Sequence, residues 1–152
     1  MKLKIGDKAP DFKGVDENSA TISLSDFKGK NLILYFYPKD NTPGCTNEAC
    51  DLRDNYNMWL EKGYNVVGVS PDSEQSHLKF IGKHNLPFPL ISDPEKVIIK
   101  QFGAWGPKKL YGREYEGLLR TTFVIDRNGI ITNIFTKVKT KDHTNQILES
   151  IK

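Results

Sequence analysis

Six consecutive residues, Leu32, Ile33, Leu34, Tyr35, Phe36 and Tyr37, form an unbroken apolar and aromatic run. A run of this kind suits a strand covered on both faces better than an edge strand with one wet face. Asn65, Val66, Val67, Gly68, Val69 and Ser70 make a second run, and Thr122, Phe123, Val124, Ile125 and Asp126 a third. Asn128 and Gly129 then turn the chain into Ile130, Ile131, Thr132, Asn133, Ile134 and Phe135, so the last pair of strands reads as a hairpin. Leu90, Ile91 and Ser92 are too few to classify.

Helical spacing fills the gaps. From Cys45 onward Ala49, Leu52, Tyr56, Trp59 and Leu60 recur three or four apart, with Gly63 as terminator. Ser73 opens a second helix carrying Leu78, Phe80 and Ile81, limited by Gly82 and Pro87. Asp93, Pro94 and Glu95 supply cap and first-turn residues for a third, through Val97, Ile98 and Phe102 to Gly103. A last helix from Asp142 or His143 presents Ile147, Leu148 and Ile151. Strands alternating with helices and ending in a hairpin predict a three-layer α/β fold with a mixed sheet. Residues 104–117 break the scheme: three glycines, Pro107, Trp105, Tyr111 and Tyr115 read as an ordered surface excursion rather than an element. It is either a binding or lid segment or a long connection pinned by its aromatics.

The 152 residues fit one domain, 1–152, with a single core. A net charge of +3, spread without a basic block or aromatic platform, gives no sign of a nucleic-acid partner. No apolar run follows the start, so neither a secretory signal nor a membrane span is expected, and the expected compartment is the reducing cytoplasm. The two cysteines, Cys45 and Cys50, close too short a loop for a structural staple, which leaves a transient redox disulfide as the alternative of interest.

Cys45 follows Pro38, Lys39, Asp40, Asn41, Thr42, Pro43 and Gly44, just beyond the C-terminal end of the first central strand and just before a helix. Open α/β sheets bind ligands at that edge. The free N–H groups and positive dipole end of the helix favour a thiolate there. The competing reading is a small buried hydrophobe. In an intact helix, five steps between Cys45 and Cys50 mean a rise of about 7.5 Å and a rotation of about 140°. A disulfide needs Cα atoms roughly 4.4–6.8 Å apart, so the two can bond only if the helix start unwinds. Zinc finds no ligand spacing among these thiols and His77, His84 and His143, so no metal is expected and the histidines read as surface residues. Nothing supports a cysteine-protease dyad.

With Pro38, Thr42 and Cys45 spaced as proline, three residues, threonine, two residues, cysteine, the chain resembles the peroxiredoxins, most nearly the Q-type or bacterioferritin comigratory protein subfamily. Ala9, Pro10, Asp11 and Phe12, Leu24, Gly29, residues 69–72, Ser92 and Asp93, Phe102 and Gly103, Arg120 and residues 122–126 extend the similarity over nearly the whole chain. The resemblance implies a thioredoxin-like fold with an N-terminal extension and no cofactor. It implies Cys45 as the peroxidatic residue, Pro38, Thr42 and Arg120 as its pocket, and Cys50 as the resolving cysteine. It further implies hydrogen peroxide and organic hydroperoxides as substrates, thioredoxin or a similar dithiol protein as reductant, and a monomer.

Arginine keeps its charge at any relevant pH, so Arg120 can favour the thiolate and donate to peroxide oxygen; the alternative is a solvated salt bridge. Thr42 can both donate and accept through one hydroxyl. Pro38, lacking an N–H, can shape the loop and shield the sulfur. Glu48 either orients Arg120 or is solvated, and Arg53 reads as a solvated helix residue. Trp105 and Tyr111 either line the approach to the pocket or pack as ordinary aromatics. Two rivals stand beside peroxidase: a general thiol–disulfide oxidoreductase, against which the wide cysteine spacing argues, and a non-catalytic redox sensor.

Overall fold

A computed structural model describes residues 3–151. The predicted runs become β3 (Asn31–Phe36), β4 (Tyr64–Ser70) and the hairpin of β8 (Thr121–Ile125) and β9 (Ile131–Phe135). The short segment Leu90–Ser92 is a fully buried strand, β5. With β1 (Lys13–Val15) and β2 (Thr21–Ser23) they form one sheet in the order β2-β1-β5-β4-β3-β8-β9. β3 pairs parallel with β4 and antiparallel with β8, so the sheet is mixed. β1 and β2 supply the N-terminal extension, on the edge next to β5.

The apolar run in β3 is explained by its two faces. Leu32, Leu34 and Phe36 join one core layer with Phe12, Val67, Val69, Phe102 and Phe123. Ile33, Tyr35 and the following Tyr37 join the other with Cys45, Ala49, Leu52, Trp59, Phe80 and Ile147. Strand alternation alone assigns these residues to opposite sides. Across the ladder Tyr35 faces Gly68, where a Cβ would come within 2.8 Å of the tyrosine ring and 2.7 Å of Leu90. Only glycine leaves room for that ring.

The helices α1 (Pro43–Asp54), α2 (Tyr56–Glu61), α3 (Glu74–His84) and α5 (His143–Ser150) place residues in the layer that contains Cys45, and α4 (Val97–Gln101) packs in the other. The single helix expected after Cys45 is broken at Asn55, whose side chain donates to the Asp51 carbonyl. Ser73 caps α3 as predicted, its hydroxyl accepting from the Ser76 N–H. Gly82 does not end that helix; Asn85 does, in the left-handed conformation at φ 52°. α4 starts later than its cap residues suggested, because the Asp93 carboxylate accepts from the N–H groups of Val97 and Ile99 across an intervening turn.

Two expectations are corrected. Residues 104–117 are largely a regular hairpin of β6 (Trp105–Leu110) and β7 (Arg113–Leu118), turned at Tyr111 and Gly112. Trp105 packs on the core at its base under the Lys96 ammonium, while Tyr111 is 96% exposed at its tip. His77 and His143 are fully buried rather than at the surface, and His84 is partly buried. No helix among the described residues is long and apolar enough to cross a membrane.

Candidate active site

β3 delivers the chain through buried Tyr37 and half-buried Pro38 into a loop whose geometry is set by Asp40. The Asp40 carboxylate accepts from the Tyr37 hydroxyl at 2.6 Å and the Ser76 hydroxyl at 2.8 Å, and lies 2.7 Å from His77 Nδ1. Its N–H donates to Asp72 at 2.8 Å, and the other ring nitrogen of His77 meets the Ile91 carbonyl at 3.0 Å. With oxygen acceptors on both ring nitrogens, His77 is best satisfied as an imidazolium. Burial opposes that charge, but the hydrogen bond and charge of Asp40 outweigh it and raise the pKa above its ordinary value. The loop is thereby tied to α3 and β5. The next residue, Asn41, takes a left-handed φ of 62° and turns the chain toward Thr42, the N-cap of α1.

Pro43 and Gly44 form the first helical positions and Cys45 the third. Proline suits the first position because its missing N–H has no helical partner anyway. The Gly44 and Cys45 N–H groups, in the first turn of the helix, have no helical acceptor. Thr42 does not cap with its side chain; its hydroxyl donates to the Lys39 carbonyl at 2.9 Å. That leaves the lone pairs of Thr42 Oγ1 to accept a proton from a ligand.

Arg120, immediately before β8, reaches the first turns of α1. Its Nη2 donates to Cys45 Sγ at 3.2 Å and its Nη1 to Glu48 Oε1 at 2.6 Å. Glu48 is fully buried on α1, one turn beyond the cysteine, so the solvated alternative for it does not hold. Burial pushes the Glu48 carboxyl up to about 7 against the pull of Arg120. Either protonation state leaves an acceptor for Nη1, so Arg120 stays anchored. Gly44 permits this approach: a Cβ there would sit 3.3 Å from Arg120 Nη2.

Behind Glu48 lies His143, its Nε2 3.7 Å from Oε2. His143 Nδ1 lies 2.9 Å from Gln146 Oε1 and its Nε2 2.8 Å from the Thr122 hydroxyl, a pattern that fits the neutral ring. Burial holds its pKa down to about 4. Cys45 is 1% exposed, Cys50 is partly buried on the same intact helix, and both thiols are free. Arg53 donates to the His84 carbonyl at 2.8 Å and pairs with Asp54, so it is a clamp between α1 and α3 and not merely solvated.

The structure therefore brings Pro38, Thr42, Cys45, Glu48 and Arg120 to one strand-to-helix junction, and puts Cys50 outside that contact set. Tyr111 stands exposed at a hairpin tip and makes no hydrogen bond or aromatic contact with these residues. The Asp40 network and His143 carried no signal in local spacing, since each depends on which strands become neighbours.

A thioredoxin-type mixed sheet with a thiol gripped by an arginine at the start of a helix defines a thiol peroxidase. The chain belongs to the AhpC/TSA family, whose profile matches residues 5–134. Peroxiredoxin Bcp of Bacillus subtilis is 48% identical over 152 residues, covering 100% of this chain and 97% of that protein. Among solved structures, PrxQ of Xylella fastidiosa superposes with a TM-score of 0.92 at 32% identity, over 99% of this chain and 96% of the other. The bacterioferritin comigratory protein of Xanthomonas campestris, in a structure concerned with its alkyl peroxide reduction activity, gives 0.88 at 31% identity, over 99% and 96%.

Proposed function

We propose that Cys45 is the peroxidatic nucleophile and Cys50 the resolving thiol of a peroxidase that takes hydrogen peroxide and organic hydroperoxides and is reduced by thioredoxin or a similar dithiol protein. The observation that carries the assignment is the 3.2 Å donation from Arg120 Nη2 to Cys45 Sγ, with the same guanidinium fixed on buried Glu48. A planar cation held at both ends keeps its orientation while charge moves from sulfur to oxygen, which is the condition for electrostatic catalysis.

The Cys45 thiolate attacks the terminal oxygen of the hydroperoxide. The S–O bond forms as the O–O bond breaks, and the departing alkoxide or hydroxide takes up a proton to leave as alcohol or water. Arg120 and the free N–H groups of Gly44 and Cys45 donate to the peroxide oxygens, Thr42 Oγ1 accepts the hydroperoxide proton, and Pro38 covers the sulfur. Cys50 then displaces the sulfenic oxygen, leaving a disulfide and water. Both thiols sit in one intact helix, so closure requires its first turns to unwind. The rest of the reading is a single domain, 1–152, acting as a monomer in the cytoplasm, without cofactor, nucleic acid or membrane.

Turnover coupled to thioredoxin, thioredoxin reductase and NADPH tests the roles. Cys45→Ser should abolish turnover, and Cys50→Ser should stop it unless an external thiol is added. Normal turnover by Cys45→Ser would refute the assignment. Insulin reduction without peroxide consumption would favour a general oxidoreductase, and disulfide formation without turnover a sensor.

A further inference from the structure

The three histidines differ in what their ring nitrogens face. His77 has oxygen acceptors on both, and His143 has Gln146 on one and Thr122 on the other. His84, the last residue of α3, has a different arrangement. Its Nδ1 lies 3.9 Å from Cys50 Sγ, within reach of a sulfur hydrogen bond, and its Nε2 is buried without a partner. No donor therefore claims Nε2, and the tautomer with its proton there and a lone pair on Nδ1 facing the thiol is free to form. Arg53, one turn beyond Cys50, donates to the His84 carbonyl at 2.8 Å, and the ring stands edge-on to Phe80 with centroids 5.2 Å apart. The imidazole is thus fixed against α1 at the level of the second cysteine.

We propose that His84 is a catalytic residue of the resolving step, its Nδ1 taking the S–H proton of Cys50 so that the thiolate can attack the sulfenic acid on Cys45. The proposal rests on Cys50 being the resolving thiol. The Cys50 S–H bond breaks and its proton passes to Nδ1. As α1 unwinds, the Cys50 sulfur forms the S–S bond while the S–O bond on Cys45 breaks. The hydroxide released is neutralised through solvent by the proton His84 carries, so one thiol and one sulfenic acid give one disulfide and one water. The ring must be neutral beforehand. Burial and the neighbouring Lys83 and Arg53 hold its pKa below the ordinary value. The groups facing it are Lys83 and Phe80 from α3, and Cys50 and Arg53 from α1, the latter paired with Asp54.

A single-turnover experiment separates the two chemical steps. Reduced wild type and His84→Gln each receive one equivalent of hydrogen peroxide, with peroxide loss and Cys45–Cys50 disulfide followed separately from pH 5.5 to 9.5. His84→Gln should consume peroxide at the wild-type rate, which also reports that it is folded. Its disulfide closure should be slower by about 10²-fold at pH 7, the lower end for a lost general base. The deficit should shrink above pH ~8.5, where a thiol ionises unaided. Equal closure rates at pH 7, or a deficit independent of pH, would overturn the proposal. If the variant loses peroxide consumption as well, the wild-type profile decides. Closure should decline as the pH falls below 6.5 and His84 protonates; a closure rate governed only by thiol ionisation near pH ~8.5 would overturn the proposal. Wild type that consumes peroxide without forming the disulfide would refute the resolving role of Cys50 and the proposal with it.

Discussion

Arg120 holds two partners at once, and variants that remove its charge or keep that charge in another shape separate its contributions. Arg120→Gln should slow oxidation of Cys45 by peroxide about 10²-fold or more, the loss seen when a preorganised donor is removed. Arg120→Lys should fall between this and wild type, because an ammonium cannot span Sγ and the Glu48 carboxylate as a planar fork does. Stopped-flow peroxide kinetics measure both, and a Gln variant as fast as wild type would remove the arginine from the mechanism. Gly44→Ala should also slow the reaction, by less than Arg120→Gln, because its Cβ would press to 3.3 Å from Nη2. Cys45 stood out in the sequence by its place between strand and helix, and Thr42 and Pro38 by a local spacing that the family resemblance supplies. Arg120 also came through the family resemblance but lies far off in sequence, and Glu48 remained ambiguous. Their contact depends on β8 lying beside β3, a register that spacing along the chain does not encode.

At the scale of elements, oxidation should dissolve the start of α1 while the central strands persist. After one equivalent of peroxide, amide exchange at residues 44–50 should speed up and that of β3 and β4 should not. Unchanged protection along α1 would contradict closure by unwinding. The β6–β7 hairpin pairs only with itself among the strands, and Tyr111 at its tip is almost fully exposed. Tyr111→Ala should therefore leave the peroxide rate unchanged and shift stability by no more than about 0.5 kcal/mol in urea unfolding. The hairpin was hard to read because Gly106, Pro107 and Gly117 interrupt its strands, and its solvent-facing residues carry no alternating apolar signal. The long buried strands β3, β4 and β8 and the start of α3 were readable because apolar runs and a serine cap act locally, whereas buried β5 is too short to show a period and the break at Asn55 falls inside an uninterrupted helical one.

For the molecule as a whole, buried titratable groups set how stability follows pH. His143 is held at about 4 against 6.5 when unfolded, so it contributes stability that is present above pH 6.5 and lost as the pH falls toward 4. Glu48 has the opposite sign: raised from 4.5 to about 7, its contribution is present below pH 4.5 and lost as the pH rises to 7. Each is worth on the order of 3 kcal/mol, and the two largely cancel in wild type. His77, raised above 6.5, acts only at higher pH, where its contribution is lost as the pH rises through its folded value. In Glu48→Gln, urea stability should therefore rise with pH between 4 and 6.5, and in His143→Gln it should fall between 4.5 and 7. The same slope in both variants would contradict these assignments. Neither burial was visible in the sequence, where a histidine in a polar segment looks like any surface residue. The most direct test of the central claim is to treat Cys50→Ser with one equivalent of hydrogen peroxide in the presence of a sulfenic-acid trap and to map the adduct. One adduct per chain, on Cys45, is the predicted result; peroxide consumption with Cys45 left as a free thiol would contradict it.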